Sequence, residues 1–172
     1  LDFLDLVTEV IDLRSFSNLW YWIVLAILWS ALSQRVIGVP YYVVLRARRG
    51  DPTSVEDMHT LARLTVRRML AVTDVSGPYM VAVASFILTG LAVTGWAYRV
   101  EFCQALFLLF LPLVCVSALS VVTARKLRAR DFAELDRALR LHRMIVQGLG
   151  VLFIFLTAFW GMYVNVTVGP LG

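Results

Sequence analysis

Residues 79–123 form the longest apolar run in the chain, with a single polar break at Tyr98-Arg99-Val100-Glu101. A membrane-spanning helix needs about 20 apolar residues. The run therefore holds two antiparallel spans, predicted at about residues 79–97 and 102–122, joined by a tight turn. Two further apolar stretches are long enough to cross, at about 19–38 and 144–166. The first opens on Trp20, Tyr21 and Trp22, and the last closes near Trp160 and Tyr163. Aromatic residues of this kind gather at membrane–water interfaces. The pattern predicts an all-α fold, an integral membrane four-helix bundle with additional amphipathic helices at the interface.

Between the apolar runs the period changes. In residues 1–14, Asp2, Asp5, Glu9 and Asp12 recur every three or four positions and share one helical face. This predicts an interfacial helix, with its acidic face either solvated or docked on a partner or on the non-cytoplasmic surface. Ser15 to Asn18 carry capping residue types. Gln34 and Arg35 fall near the far end of the first span, and Pro40 is expected to kink or end it. Gly50-Asp51-Pro52 breaks the chain, and Thr53 followed by Glu56 reads as a capping box. The helix that follows has an apolar stripe of Val55, Met58, Ala62, Met69 and Val72, with Arg63 and Arg67 on another face. It is expected to lie on the membrane surface within a cytoplasmic segment, 39–76, and to end at Ser76-Gly77-Pro78. A second cytoplasmic segment, 124–143, is expected to turn near Arg130, with Asp131 and Glu134 as capping residues. A single helix over 132–166 would be ~50 Å long and would project roughly 20 Å beyond the hydrocarbon layer.

Composition agrees with lipid as the solvent. Of 172 residues 60% are hydrophobic, against about 45–50% in soluble domains, and the mean hydropathy is +0.78. The net charge of +4 is distributed by side. Six basic residues lie between spans one and two and seven between spans three and four, whereas the opposite side has Arg14 and Arg99. Basic loops stay in the cytoplasm. Only one of the sixteen basic residues is Lys, a bias that fits a GC-rich bacterial genome, and the excess is expected to set topology and not to bind nucleic acid, in a multi-pass protein of the bacterial inner membrane with both termini in the periplasm. The acidic first residues do not read as a cleavable signal peptide. The chain opens on Leu1, so a few leading residues are expected to be missing.

The candidate chemistry is sparse. Spans two, three and four contain no ionisable Asp, Glu, Lys, Arg or His. Such residues mark ion paths and substrate sites within membranes, so a transporter or membrane enzyme is the least favoured class. His59 and His142 are expected in surface or packing roles near the cytoplasmic interface. Cys103 and Cys115 are twelve residues apart in one helix, ~18 Å, too far for a disulfide. No metal-binding cluster, phosphate loop or nucleophile–base set is present, so no intrinsic cofactor is expected, only peripheral lipid or pigment contacts. Ser85 with Thr89, and Gly90 with Thr94, are small pairs that let helices approach closely, either within the chain or against another subunit. Arg125, Lys126, Arg128, Arg130, Arg137, Arg140 and Arg143, with Arg63 and Arg67, form a basic arm. It either sets topology and binds anionic lipids or docks an acidic cytoplasmic protein.

Three stretches carry a likeness: residues 12–22 (DLRSFSNLWYW), 38–41 (GVPY) and 100–105 (VEFCQA). Over about residues 13–130 the chain resembles a family of small alphaproteobacterial membrane proteins. Its members often carry the label "component of SufBCD complex", an iron–sulfur assembly machine. The resemblance implies a polytopic membrane protein and supplies no catalytic residues. The phosphate loop of the assembly ATPase is absent from this sequence. The expected function is a non-catalytic accessory subunit of a larger inner-membrane complex, photosynthetic or respiratory. The alternative is a membrane anchor that recruits a cytoplasmic partner through the basic arm.

Overall fold

The computed structural model describes residue 16 and residues 19–167. The acidic stretch 1–14, expected as an interfacial helix, lies outside them. The described chain is almost wholly helical: α1 Leu19–Gln34, a hairpin of β1 Arg35–Val36 and β2 Val39–Pro40, α2 Tyr41–Arg48, α3 Pro52–Ala92, α4 Glu101–Ala129 and α5 Leu135–Thr167. A π-helical turn, Val93–Ala97, extends α3. Three helices, Pro52–Ala97, Glu101–Ala129 and Leu135–Thr167, are long and apolar enough to cross a membrane.

The first predicted span is shorter than expected. Its helix stops at Gln34 after 16 residues, ~24 Å, and the chain reverses in a two-residue hairpin. Val36 pairs with Val39, and Arg35 with Pro40. Ile37 and Gly38 both have positive φ, 50° and 74°, as a tight hairpin turn matched to strand twist requires. Burial explains the change: Ile37 and Val39 are inserted into a core with α2 and α3. Gly38 sits so close to α3 that a Cβ there would lie 2.5 Å from Thr65 Cγ2. Pro40 does not bend the first helix; it precedes α2 as its N-cap residue.

The expected break at Ser76-Gly77-Pro78 is also absent. Residues 52–92 form one helix of 41 residues with Pro78 inside it, ~62 Å long. The amphipathic segment is therefore collinear with the apolar one and not a separate helix. Pro78 removes the donor for the Asp74 carbonyl, a defect worth ~3 kcal/mol in an isolated helix. Packing before the proline, and the Gln104 bond to the Gly95 carbonyl at the far end, outweigh it. Ser54, Met58, Ala62, Val66 and Leu70 recur every four residues and are buried, and α4 runs antiparallel alongside, with Arg125 and Arg128 reaching Asp74.

Neither expected capping box forms. Asp51 is the N-cap residue of α3, ahead of Pro52 in the first turn. The Ser54 and Thr53 hydroxyls each donate to its carboxylate at 2.7 Å. Those two bonds, with Arg46 at 3.1 Å, hold the Asp51 carboxyl below the usual carboxylate range. Asp131 and Glu134, with Phe132, adopt positive φ. They lie in the turn between α4 and α5; Asp131 is too far from the helix start at Leu135 to cap it, whereas the Glu134 carbonyl accepts from the Ala138 N–H at 3.0 Å.

The buried residues form two cores. One lies at the basic end and joins the hairpin, α2, the first half of α3, the end of α4 and the start of α5 through residues such as Val44, Val66, Leu127 and Leu139. The other joins α1, α4 and α5 through Tyr21, Leu25, Leu109, Val146 and Phe153. The outer half of α3 belongs to neither.

Candidate functional site

The folded head gathers the basic residues and pairs some of them internally with carboxylates or aromatic rings. Arg125 and Arg128 approach opposite oxygens of Asp74 at 3.7 and 3.6 Å. Arg137 pairs with Glu134 at 3.5 Å, and Arg140 with Asp136 at 3.0 Å. The Arg143 guanidinium stands 3.5 Å from the centroid of the Tyr41 ring, and Arg63 stands 5.5 Å from that of Phe132. Among the described residues, Lys126 and Arg130 have no ion pair. Arg67 lines a shallow cavity of about 370 Å³ with Arg63, Asp74, Arg128, Asp131 and Phe132. The basic arm is thus a folded rim of paired charges with a few unpaired cations between them.

A second groove, about 450 Å³, runs between the end of α4 and the start of α5. Lys126, Arg130, Glu134 and Arg137 form its rim, and Leu119, Val122, Leu141 and Ile145 its apolar wall, further along the two helices. His142 and Thr123 also line it. His142 is buried, not superficial. Its Nδ1 lies 3.2 Å from Thr123 Oγ1 and its Nε2 3.4 Å from Ser120 Oγ. Both hydroxyls donate to backbone carbonyls one turn back, Leu119 and Val116. Each can therefore only accept from the imidazole, and a neutral ring has one N–H to give.

The opposite end of the molecule is held by an amide that composition alone did not mark as important. Gln104 is buried. Its Nε2 donates to the Gly95 carbonyl at 2.7 Å, and Trp160 Nε1 donates to its Oε1 at 2.9 Å. The helical ladder of α3 ends at Ala97, so the Gly95 carbonyl needs a donor from elsewhere. Gly95 permits the approach: a Cβ there would meet Gln104 Cγ at 3.0 Å. Trp96 stacks edge-on against Phe107 and lies beside Trp160, with ring centroids 5.2 and 5.5 Å apart. The Phe16 N–H donates to Glu101 Oε1 at 2.7 Å and ties the start of the described chain to α4. The readable signal for Gln104 was its place as the lone amide side chain in the 102–122 run.

The small-residue pairs on α3 do not pack within the chain as the internal reading expected. Ser85, Thr89 and Gly90 are exposed, and a Cβ on Gly90 would meet nothing within 4 Å. Thr94 is half-buried and donates its hydroxyl back to the Gly90 carbonyl. The close approach of α3 to α4 is made one turn further on, at Gly95. Around the small residues, Val81, Val83, Phe86 and Val93 are exposed as well. An apolar groove lined by Tyr79, Val83, Ile87, Phe110 and Val114 separates this half of α3 from α4.

Cys103 and Cys115 are free. Among the described residues no group of three or more His, Cys, Asp or Glu side chains could hold a metal ion. No protein-family model, no curated protein and no solved structure matches the chain.

Proposed function

We propose that this chain is a non-catalytic accessory subunit of a larger bacterial inner-membrane complex, of photosynthetic or respiratory type, and that the outer half of α3 receives a neighbouring membrane subunit. The observation that carries the reading is the state of that half-helix. Between residues 71 and 92 no side chain is buried, although the run includes Ser85, Thr89 and Gly90. Small residues on a membrane helix favour close helix–helix contact, and here they are presented outward. The polar groups held inside the bundle act as ties between helices: Gln104 joins α3, α4 and α5. In this reading α1 and the hairpin complete a fourth crossing, the basic head lies in the cytoplasm, and both termini lie in the periplasm. Lipids or pigments of the complex touch the outside only.

Co-purification in mild detergent tests the reading when paired with Gly90→Leu. The added side chain has open space in the isolated chain, and replacing a mid-helix glycine with a good helix former should leave stability unchanged or raise it by up to about 1 kcal/mol. The wild type should carry a membrane subunit at constant ratio, and the variant should lose it. Recovery of the wild type only as a free monomer, or equal recovery of partner with both, overturns the proposal.

The alternative, an anchor for an acidic cytoplasmic protein, has less support. Five of the seven cations of the arm, Arg125, Arg128, Arg137, Arg140 and Arg143, are already engaged within the chain.

A further inference from the structure

The groove between α4 and α5 carries its charges and its apolar wall at two different depths. On α4, Val122 lies one turn below Lys126, and Leu119 lies deeper still; Arg130 stands one turn above. On α5, Leu141 and Ile145 lie one and two turns below Arg137. Each step of four residues is ~6 Å along a helix. Both walls pass from cation to hydrocarbon in the same direction, at the level where the apolar runs 102–122 and 144–166 meet the basic head. Lys126 and Arg130 have no ion pair among the described residues, while Arg125 and Arg128 beside them are held by Asp74. The Glu134 carboxylate on the rim is matched by Arg137, so it does not cancel the two unpaired cations.

A small soluble anion would use the rim and leave the apolar wall bare. An acidic protein surface would do the same, and Leu141 is 56% exposed. An amphiphile with a negative head satisfies both levels, and basic pockets between helices on the cytoplasmic side suit anionic lipid headgroups. We infer that this groove holds one anionic glycerophospholipid, its phosphate between Lys126 and Arg130 and an acyl chain along Leu119, Val122, Leu141 and Ile145. The inference rests on α4 and α5 spanning the membrane. It is independent of the subunit contact at α3, which involves a different groove.

Native mass spectrometry in neutral detergent, with phosphatidylglycerol as the probe, tests it. The wild type should retain one phosphatidylglycerol in preference to phosphatidylcholine of the same chains. The double variant Lys126→Gln/Arg130→Gln should bind it roughly 30-fold more weakly. Arg49→Gln/Arg68→Gln removes the same charge from exposed positions outside the arm and should leave binding within about 3-fold, since neither residue touches the groove. Circular dichroism of both variants verifies that each is folded. Equal weakening by the two pairs would show general surface attraction and overturn the site. So would displacement of the lipid by soluble glycerol phosphate at matched concentration, which would reveal a plain phosphate site. Unchanged lipid retention in Lys126→Gln/Arg130→Gln, with loss of a co-purifying acidic protein, would assign the rim to that protein and equally overturn the proposal.

Discussion

Gln104 is one of four buried polar residues among those described, with Ser54, His142 and Thr157, and it alone joins three helices. In an apolar bundle an unmatched carbonyl or indole N–H has no water to turn to. Gln104→Leu keeps the volume and strands both the Gly95 carbonyl and the Trp160 N–H. It should destabilise the bundle by about 1–3 kcal/mol, read as a lower unfolding midpoint in mixed detergent. Gly38 offers a second test at this scale. Gly38 and Gly50 both have positive φ, 74° and 85°, but only Gly38 has a neighbour, Thr65, within reach of a Cβ. Gly50→Ala should cost about 1–2 kcal/mol, the left-handed penalty alone. Gly38→Ala should cost about 1–3 kcal/mol more through overpacking, and Thr65→Ala in the same chain should recover most of that excess. A double-mutant cycle on unfolding free energies gives the coupling directly. The turn itself was hidden in the sequence. Ile37 is β-branched and disfavours positive φ, so residues 36–39 read as the end of a helix until burial against α2 and α3 is known.

At the scale of the element, α3 decides the shape of the molecule. Local signals at Ser76, Gly77 and Pro78 all predict a boundary, and the helix passes through them. Local propensity is a weak prior that tertiary contacts override. Here the contacts lie on both sides of the proline: the head core below, α4 and its arginines on Asp74, and the Gln104 tie at the far end. Pro78→Ala should therefore preserve the fold and raise its stability, by at most about 3 kcal/mol. Spin labels at Leu61 and Ser85, both exposed, should lie ~36 Å apart along one axis with either residue at 78. A markedly shorter distance would mean that the surface segment folds away from the span. The opposite outcome held at Tyr98-Arg99-Val100, where the polar break is a turn. The chain there is flanked by two apolar runs that cannot continue as one helix within a single bilayer.

The whole molecule has a charged end and an aromatic end. The basic residues of the segments after the first and third apolar runs meet in one head, and Trp96, Trp160 and Tyr163 cluster at the other. Positive-inside topology predicts the head in the cytoplasm. In a variant with Cys103 and Cys115 replaced by Ala, a membrane-impermeant maleimide should label Tyr98→Cys in spheroplasts and Thr60→Cys only after lysis; the reverse would invert the orientation. The apolar period by itself determined that this chain is helical with helices apolar enough to cross a membrane, and the sequence alone shows that its basic residues fall in two segments. Both are sums over many residues, and no single contact can cancel them. The places where helices stop, the pairing of Arg125 and Arg128 with Asp74, the burial of His142 and Gln104, and the outward aspect of Ser85, Thr89 and Gly90 were decided only by tertiary structure. Each depends on which neighbour lies across the gap, and a one-dimensional pattern contains no record of that neighbour.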